Sequence, residues 1–164
     1  MKIIPGFEFL QGKHCVTSAM LHLFHFHKCP ISEEMLLGTG SGVGFVFWQQ
    51  KGTLPFLGGR ANVGRNKEEC LEVTAAERCR VKTNKHSTTS LKKAQKVMLE
   101  YLSQDQPLMI QVDMGLLPYF PFYGQYHFGY HMVAAAGYDP QSAEITIADR
   151  DGKPYAVPLE QVSE

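Results

Sequence analysis

This 164-residue chain carries no net charge: 16 Lys and Arg stand against 16 Asp and Glu. Proteins that bind nucleic acid through its phosphates carry a basic excess, so that class is set aside. Long apolar runs are missing too, and none approaches the ~18–20 uncharged residues that a membrane span needs. The opening Met1-Lys2-Ile3-Ile4-Pro5-Gly6 breaks at Pro5 before a signal-peptide core can form, which predicts a cytoplasmic protein. Internal repeats and low-complexity tracts are absent. Cysteine is sparse, at 15, 29, 70 and 79, with no C-x-x-C pair, so neither a zinc ribbon nor a thioredoxin-type redox site is spelled out. A cytoplasmic chain with a real core has no need of disulfides, and the expectation is four free thiols, three of them packing residues. What is present is 44% hydrophobic and 11% aromatic residues, enough to build the core of one compact domain rather than a disordered segment.

The first clear element begins near His14-Cys15, where Val16, Ala19, Met20, Leu23 and Phe24 follow the spacing of a buried helical face. His27 and Lys28 suit its negative end, and Pro30 stops it. Ser32 reads as the N-cap of a second helix with Glu33 and Glu34 in its first turn and a stop at Gly38. The glycine run 38–44 fits neither nucleotide-loop spacing and reads as a tight turn near the site cleft. Phe45-Val46-Phe47-Trp48 reads as a short buried strand, and another short strand is expected near Phe56-Leu57. Asn66 and Glu69 resemble a capping box for a helix ending about Arg78, followed by a brief strand at Arg80-Val81-Lys82. Leu91, Ala94, Val97, Met98, Tyr101 and Leu102 form an apolar stripe over residues 90–104, which predicts a helix ended by Pro107. Leu108 to Asp113 reads as a strand, 115–130 as an aromatic loop, and 131–138 with 143–149 as a β-hairpin turning at Asp139-Pro140. The segment Pro158 to Glu164 reads as the opening of a further helix. Helices first and a sheet completed late make the class α+β, with N-terminal helices packed on a mainly antiparallel sheet.

A nucleophilic cysteine needs a lowered pKa, a base in reach and a group that orients the base. Cys15 lies at the start of a helix, where unpaired N–H groups and the dipole favour a thiolate. Cys29 lies at the unfavourable end of the same helix, and Cys70 and Cys79 have no histidine nearby in sequence. Within the hairpin, side chains alternate faces, so His131, Val133 and Ala135 share one face, as do Ile145, Ile147 and Asp149 on the return strand. A turn centred on Pro140 sets His131 directly opposite Asp149, with Cβ atoms ~5 Å apart. A turn centred between residues 140 and 141 puts them on opposite faces instead. Helical spacing lets only His22 and His25 share a face closely, and His27 points elsewhere; the histidines are read as the polar face of the first helix, and no metal site is expected. Asp113 is a second candidate carboxylate, with turn capping as the plainer reading, and His127 reads as a loop histidine or a residue at the substrate mouth. The aromatics of 119–128, Tyr119 among them, line an acyl pocket or form a packing lid.

Taken in order, Gly12-Lys13-His14-Cys15-Val16-Thr17-Ser18-Ala19, Ser32-Glu33-Glu34 through Gly40-Ser41-Gly42-Val43-Gly44-Phe45, Asp113 with Leu117-Pro118-Tyr119, His127-Phe128-Gly129-Tyr130-His131-Met132-Val133, Gly137-Tyr138-Asp139 and Asp149 resemble the N-terminal domain of the butirosin-biosynthesis protein H family. That family is similar in design to papain-like and bacteriocin-processing cysteine peptidases. Its named member is an acyltransferase that moves a γ-glutamylated amino-acyl group from an acyl carrier protein to an aminoglycoside amine. The resemblance implies a papain-like fold over residues 1–164, with Cys15 as nucleophile, His131 as general base and acid, and Asp149 as orienter. Family proteins usually continue into a second half, so the chain is compatible with the N-terminal part of a longer protein.

The implied partners are an acyl carrier protein or small acyl donor and a small amine acceptor, with no nucleic acid and no membrane. No cofactor of its own is expected, although the donor can bring a phosphopantetheine arm. Weaker candidates for substrate or oxyanion contact are Gln11, four residues before the cysteine, His14, Asp113, Tyr119 and His127. Two other functions fit the same residues: a cysteine peptidase or amidase that gives the acyl group to water, and a non-catalytic domain that binds a peptide or carrier protein.

Overall fold

The computed structural model describes residues 1–52, 54–64 and 70–162. The chain divides into two compact units, one made of Met1–Ile31 with His86–Glu164 and the other of Ser32–Lys85. The fold is α+β, with helices and antiparallel sheets. In chain order the elements are α1 (Cys15–Phe26), α2 (Glu33–Thr39), β1 (Val46–Trp48), β2 (Phe56–Gly58), α3 (Leu71–Arg78), α4 (Leu91–Ser103), β3 (Leu108–Val112), β4 (His131–Asp139), β5 (Glu144–Ala148) and β6 (Pro154–Pro158).

The larger unit is built on a four-stranded antiparallel sheet in the order β3-β4-β5-β6. Both α1 and α4 pack against β4 and β3. Strand β4 is accordingly apolar on both faces, with Val133, Ala134, Ala135 and Ala136 fully buried. Ile145, Ile147 and Val157 join them, each side chain contributing about 1.5–3 kcal/mol by leaving water. The stripe expected on α4 buries Met98 and Leu102, while Leu91 at its first turn stays exposed. Side chains on a helix lean toward its N-terminus, so the first residue overhangs the sheet instead of covering it.

Strand β6 was not expected, and residues 159–162 form turns, not a helix. Pro154 and Pro158 bound β6, and at an edge strand a missing N–H is tolerated. The hairpin register also differs from the expected one. Near the turn Gly137 pairs with Thr146, Tyr138 with Ile145 and Asp139 with Glu144; beyond a bulge at Ala136, Ala135 pairs with Ile147 and Ala134 with Ala148. The N-terminal segment lies over that bulge. Ile4 N–H donates to the Ala136 carbonyl (2.8 Å) and Thr146 Oγ1 donates to the Lys2 carbonyl (2.7 Å). A Cβ on Gly137 would stand 2.1 Å from the Lys2 carbonyl oxygen, so only glycine admits this approach.

In the smaller unit, Ser32 caps α2 by accepting from Met35 N–H (3.3 Å), and Glu33 and Glu34 occupy the favourable first turn. The helix runs to Thr39 and the glycine run makes a turn against which Leu71 of α3 is fully buried. Residues Asn66 and Glu69 lie outside the described residues, and α3 begins at Leu71. No strand forms at 80–82: Arg80 takes a left-handed φ of 58° and Val81 N–H returns to the Ala76 carbonyl (2.8 Å), so this stretch ends the helix instead. Among the described residues, strands β1 and β2 pair only with each other, and Phe47 and Trp48, expected to be buried, are 59% exposed. A two-stranded ribbon covers little of its own surface.

Candidate active site

Three elements of the larger unit deliver the site. Cys15 is the first residue of α1, whose N-cap is His14: the His14 ring accepts from Thr17 N–H at 3.5 Å. His131 is the first residue of β4, and Asp149 follows the last residue of β5. The His131 Nε2 to Asp149 Oδ2 distance is 2.8 Å, with both side chains almost fully buried. The same His131 ring acts on the Cys15 thiol, each shifting the other's titration. With Nε2 on the carboxylate, Nδ1 is the nitrogen left for sulfur. The structure therefore brings Cys15, His131 and Asp149 together in that order.

The electrostatics of the three groups are coupled. Burial pushes the Cys15 thiol up, but its hydrogen bond with His131, the N–H groups of Met132 and Val16 and the imidazole charge outweigh it and hold the thiol below its ordinary value. Burial pulls His131 down, yet hydrogen bonds with Asp149 and Cys15 and their charges raise it overall. Burial also opposes ionisation of Asp149, and His131 together with the Arg150 N–H and guanidinium more than reverses that. A thiol moved down and an imidazole moved up favour the thiolate–imidazolium form near neutral pH.

Every oxygen of the Asp149 carboxylate is engaged. Oδ2 accepts from His131 and from the Tyr119 hydroxyl (3.1 Å), and Oδ1 accepts from Arg150 N–H (2.7 Å) with Arg150 Nε at 3.4 Å. Burial and then the Asp149 charge drive the Tyr119 hydroxyl far above its ordinary range, so it stays a donor. The Tyr119 ring stacks on Tyr155 (centroids 3.9 Å apart, planes 14° apart), and the Tyr155 hydroxyl donates to Asp151 Oδ2. Phe120 presents its ring edge-on to His131 at 5.4 Å. Beside the carboxylate opens a cleft of about 660 Å³ walled by Gln11, Gly12, Lys13, Tyr119, Phe120, Pro121 and residues of 149–155.

The other candidates fall into two groups. Gln11 joins the cleft wall and pairs with Asp151 through a backbone bridge, and Tyr119 faces the cleft while bonded to Asp149. Asp113 instead accepts from the N–H groups of Gly115 (2.7 Å) and Phe128 (2.9 Å) and pairs with the exposed His127 (3.3 Å); it organises the aromatic loop. Burial raises its carboxyl, but these backbone bonds and the His127 contact together more than reverse that and hold it below the ordinary value.

One histidine departs from expectation. His22 was read onto the polar face of α1, but it is 1% exposed and packed flat against Phe7. Its Nδ1 donates to the Ser18 carbonyl (2.7 Å) and its Nε2 accepts from Leu10 N–H (3.1 Å), an arrangement that needs the neutral ring; burial lowers its pKa accordingly. Among the described residues no three His, Cys, Asp or Glu side chains converge on a point that could hold a metal, and no helix is long and apolar enough to cross a membrane. Arg150, Asp151 and Tyr155 were not singled out from the sequence. The signal was there, in the dense charge of Asp149-Arg150-Asp151 directly after an apolar strand.

A cysteine opening a helix, with a histidine and an aspartate from adjacent strands, defines an α+β domain carrying a thiol–imidazole–carboxylate site. Residues 14–150 match the family Butirosin biosynthesis protein H, N-terminal, and the chain belongs to that family. No curated protein and no solved structure matches it.

Proposed function

We propose that this chain is a papain-like acyl-transfer enzyme working through Cys15, His131 and Asp149 in antibiotic-type biosynthesis. The observation that supports it most directly is the buried His131–Asp149 pair at 2.8 Å, together with a Cys15 thiol that His131 holds below its ordinary value against the opposing effect of burial. The Cys15 thiolate attacks the carbonyl of a carrier-protein thioester; the donor's C–S bond breaks, and the leaving thiolate takes the His131 proton. In the second half an amine attacks the acyl-enzyme, His131 accepts its proton, and the Cys15–acyl bond breaks to return the thiolate. Asp149 keeps the imidazole in the tautomer and orientation both halves need. The first N–H groups of α1 and the side chain of Gln11 are the donors for the tetrahedral oxyanion. Family membership supports the biosynthetic setting.

The test is incubation with an acyl N-acetylcysteamine thioester, which imitates the end of a phosphopantetheine arm, followed by intact mass measurement. An acyl adduct is expected on the wild-type chain and not on Cys15→Ala, and His131→Ala should form it about 10²–10⁴-fold more slowly. Discharge of the adduct by added amines distinguishes transfer from hydrolysis, since a hydrolase loses the acyl group equally fast without them. A folded wild-type chain that never acquires the adduct removes the catalytic reading.

A further inference from the structure

We propose that the cleft beside Asp149 is a binding site for a carboxylate or phosphate group carried on a flat apolar moiety, with Lys153 and Arg150 as its cationic contacts. The cleft holds about 660 Å³, the size of a small-molecule site. Of its two carboxylates, Asp149 has every acceptor position filled and Asp151 is partly engaged. Asp149 accepts from His131, Tyr119 and Arg150, while Asp151 accepts from Lys153 N–H at 3.2 Å and from the Tyr155 hydroxyl. An incoming ammonium would therefore have to displace existing donors at Asp149. The cations are placed differently. Arg150 meets Asp149 through Nε, at 3.4 Å, and its side chain lines the cleft while 40% exposed. Lys153 lines the same cleft and is exposed.

The apolar moiety has a seat as well. Tyr119 and Tyr155, stacked face to face, form an aromatic wall of the cleft, and Tyr119 is fixed in place by its bond to Asp149. A planar group lying on that wall, with its negative charge reaching Lys153 and Arg150, uses all three features together. That this ligand is part of the substrate rests on the acyl-transfer reading; its binding does not.

Titration calorimetry on the intact chain with hydrocinnamate, hydrocinnamamide and phenethylamine tests the site, because the three probes share a ring and differ in charge. The acid is expected to bind more tightly than the amide, and the amine least. Lys153→Glu and Arg150→Gln should each weaken the acid by about tenfold or more, the loss of one charge-assisted contact, while leaving the amide unchanged. Lys153→Arg should restore it. The proposal is overturned if the amine binds as well as the acid, if the substitutions leave the acid's affinity intact, or if no probe binds at millimolar concentration. None of these readouts uses the thiol. A chain that takes up the acid but never acylates Cys15 keeps this site and loses the enzyme, and the opposite result does the reverse.

Discussion

His131 and Asp149 are 2.8 Å apart at Nε2 and Oδ2, although the strand ladder does not make them partners. The pairing of Ala134 with Ala148, carried on to the start of β4, sets His131 against Asp151, two residues past Asp149. Two residues is an even step, so both side chains lie on one face and reach each other diagonally. The pairing next to the turn, carried straight through, would set His131 against Gly152 and put Asp149 on the other face. The extra residue at Ala136 is what corrects the parity.

The bulge is held by the N-terminal segment, and Gly137→Ala would drive a Cβ into the Lys2 carbonyl oxygen 2.1 Å away. A backbone atom cannot swing aside as a side chain does. The variant should lose about 1–3 kcal/mol in urea denaturation and also lose the fast alkylation of Cys15. Stability equal to wild type would mean that the segment does not seat over the bulge.

Alkylation by iodoacetamide, followed by residue-resolved mass spectrometry from about pH 4 to 9, should show Cys15 reacting well below the ~8.5 of a free thiol. In His131→Ala that advantage should vanish, because burial, which pushes the thiol up, is then opposed only by backbone N–H groups. Cys70, raised by burial and by Glu72, serves as the slow internal reference. An ordinary Cys15 titration in the wild type would contradict the ion pair.

Stability should depend on pH in a pattern set by the three groups. Asp149, held low, stabilises the fold above its ordinary value near 3.9, and that contribution is lost as pH falls through its lowered folded value. His131, held high, contributes fully below about 6.5 and loses its share as pH rises through its raised value. Cys15, held low, contributes above about 8.5 and gives it up as pH falls through its lowered value. Melting temperatures of Asp149→Asn should therefore approach those of wild type at the acid end and fall short of them at neutral pH. In the thioester assay the same variant should be about tenfold slower, since the amide oxygen still accepts from the imidazole but brings no charge to favour the imidazolium.

Tyr119→Phe removes one donor from the oxygen that also serves His131. Asp149 should titrate at a higher pH in carbon-detected NMR, and the fold should lose about 1.5–3 kcal/mol, the usual worth of a hydrogen bond to a charged group. Because the Phe ring keeps the stack on Tyr155, a packing role alone would leave the Asp149 titration where it was.

Much of this was legible in the chain. The apolar spacing after Cys15 and the stripe over 91–102 gave two helices whose starts match α1 and α4, because periodicity needs only local residues. Cys15 at a helix start, His131 in a strand and Asp149 at the end of the return strand were readable as candidates for the same reason. The burial of His22, the exposure of Phe47 and Trp48, and the strand at Pro154–Pro158 were not, since each depends on what the rest of the chain lays against it.

The sequence by itself determined which residues have the chemistry and which elements carry them: thiol, imidazole and carboxylate sit at element ends defined by local caps and alternation. Only the tertiary structure decided that they meet. The N-terminal segment crossing Gly137, the bulge at Ala136 and the Tyr119 and Arg150 contacts around Asp149 join parts of the chain far apart in number. Strand parity reverses with a single inserted residue, and nothing local to the hairpin fixes that count.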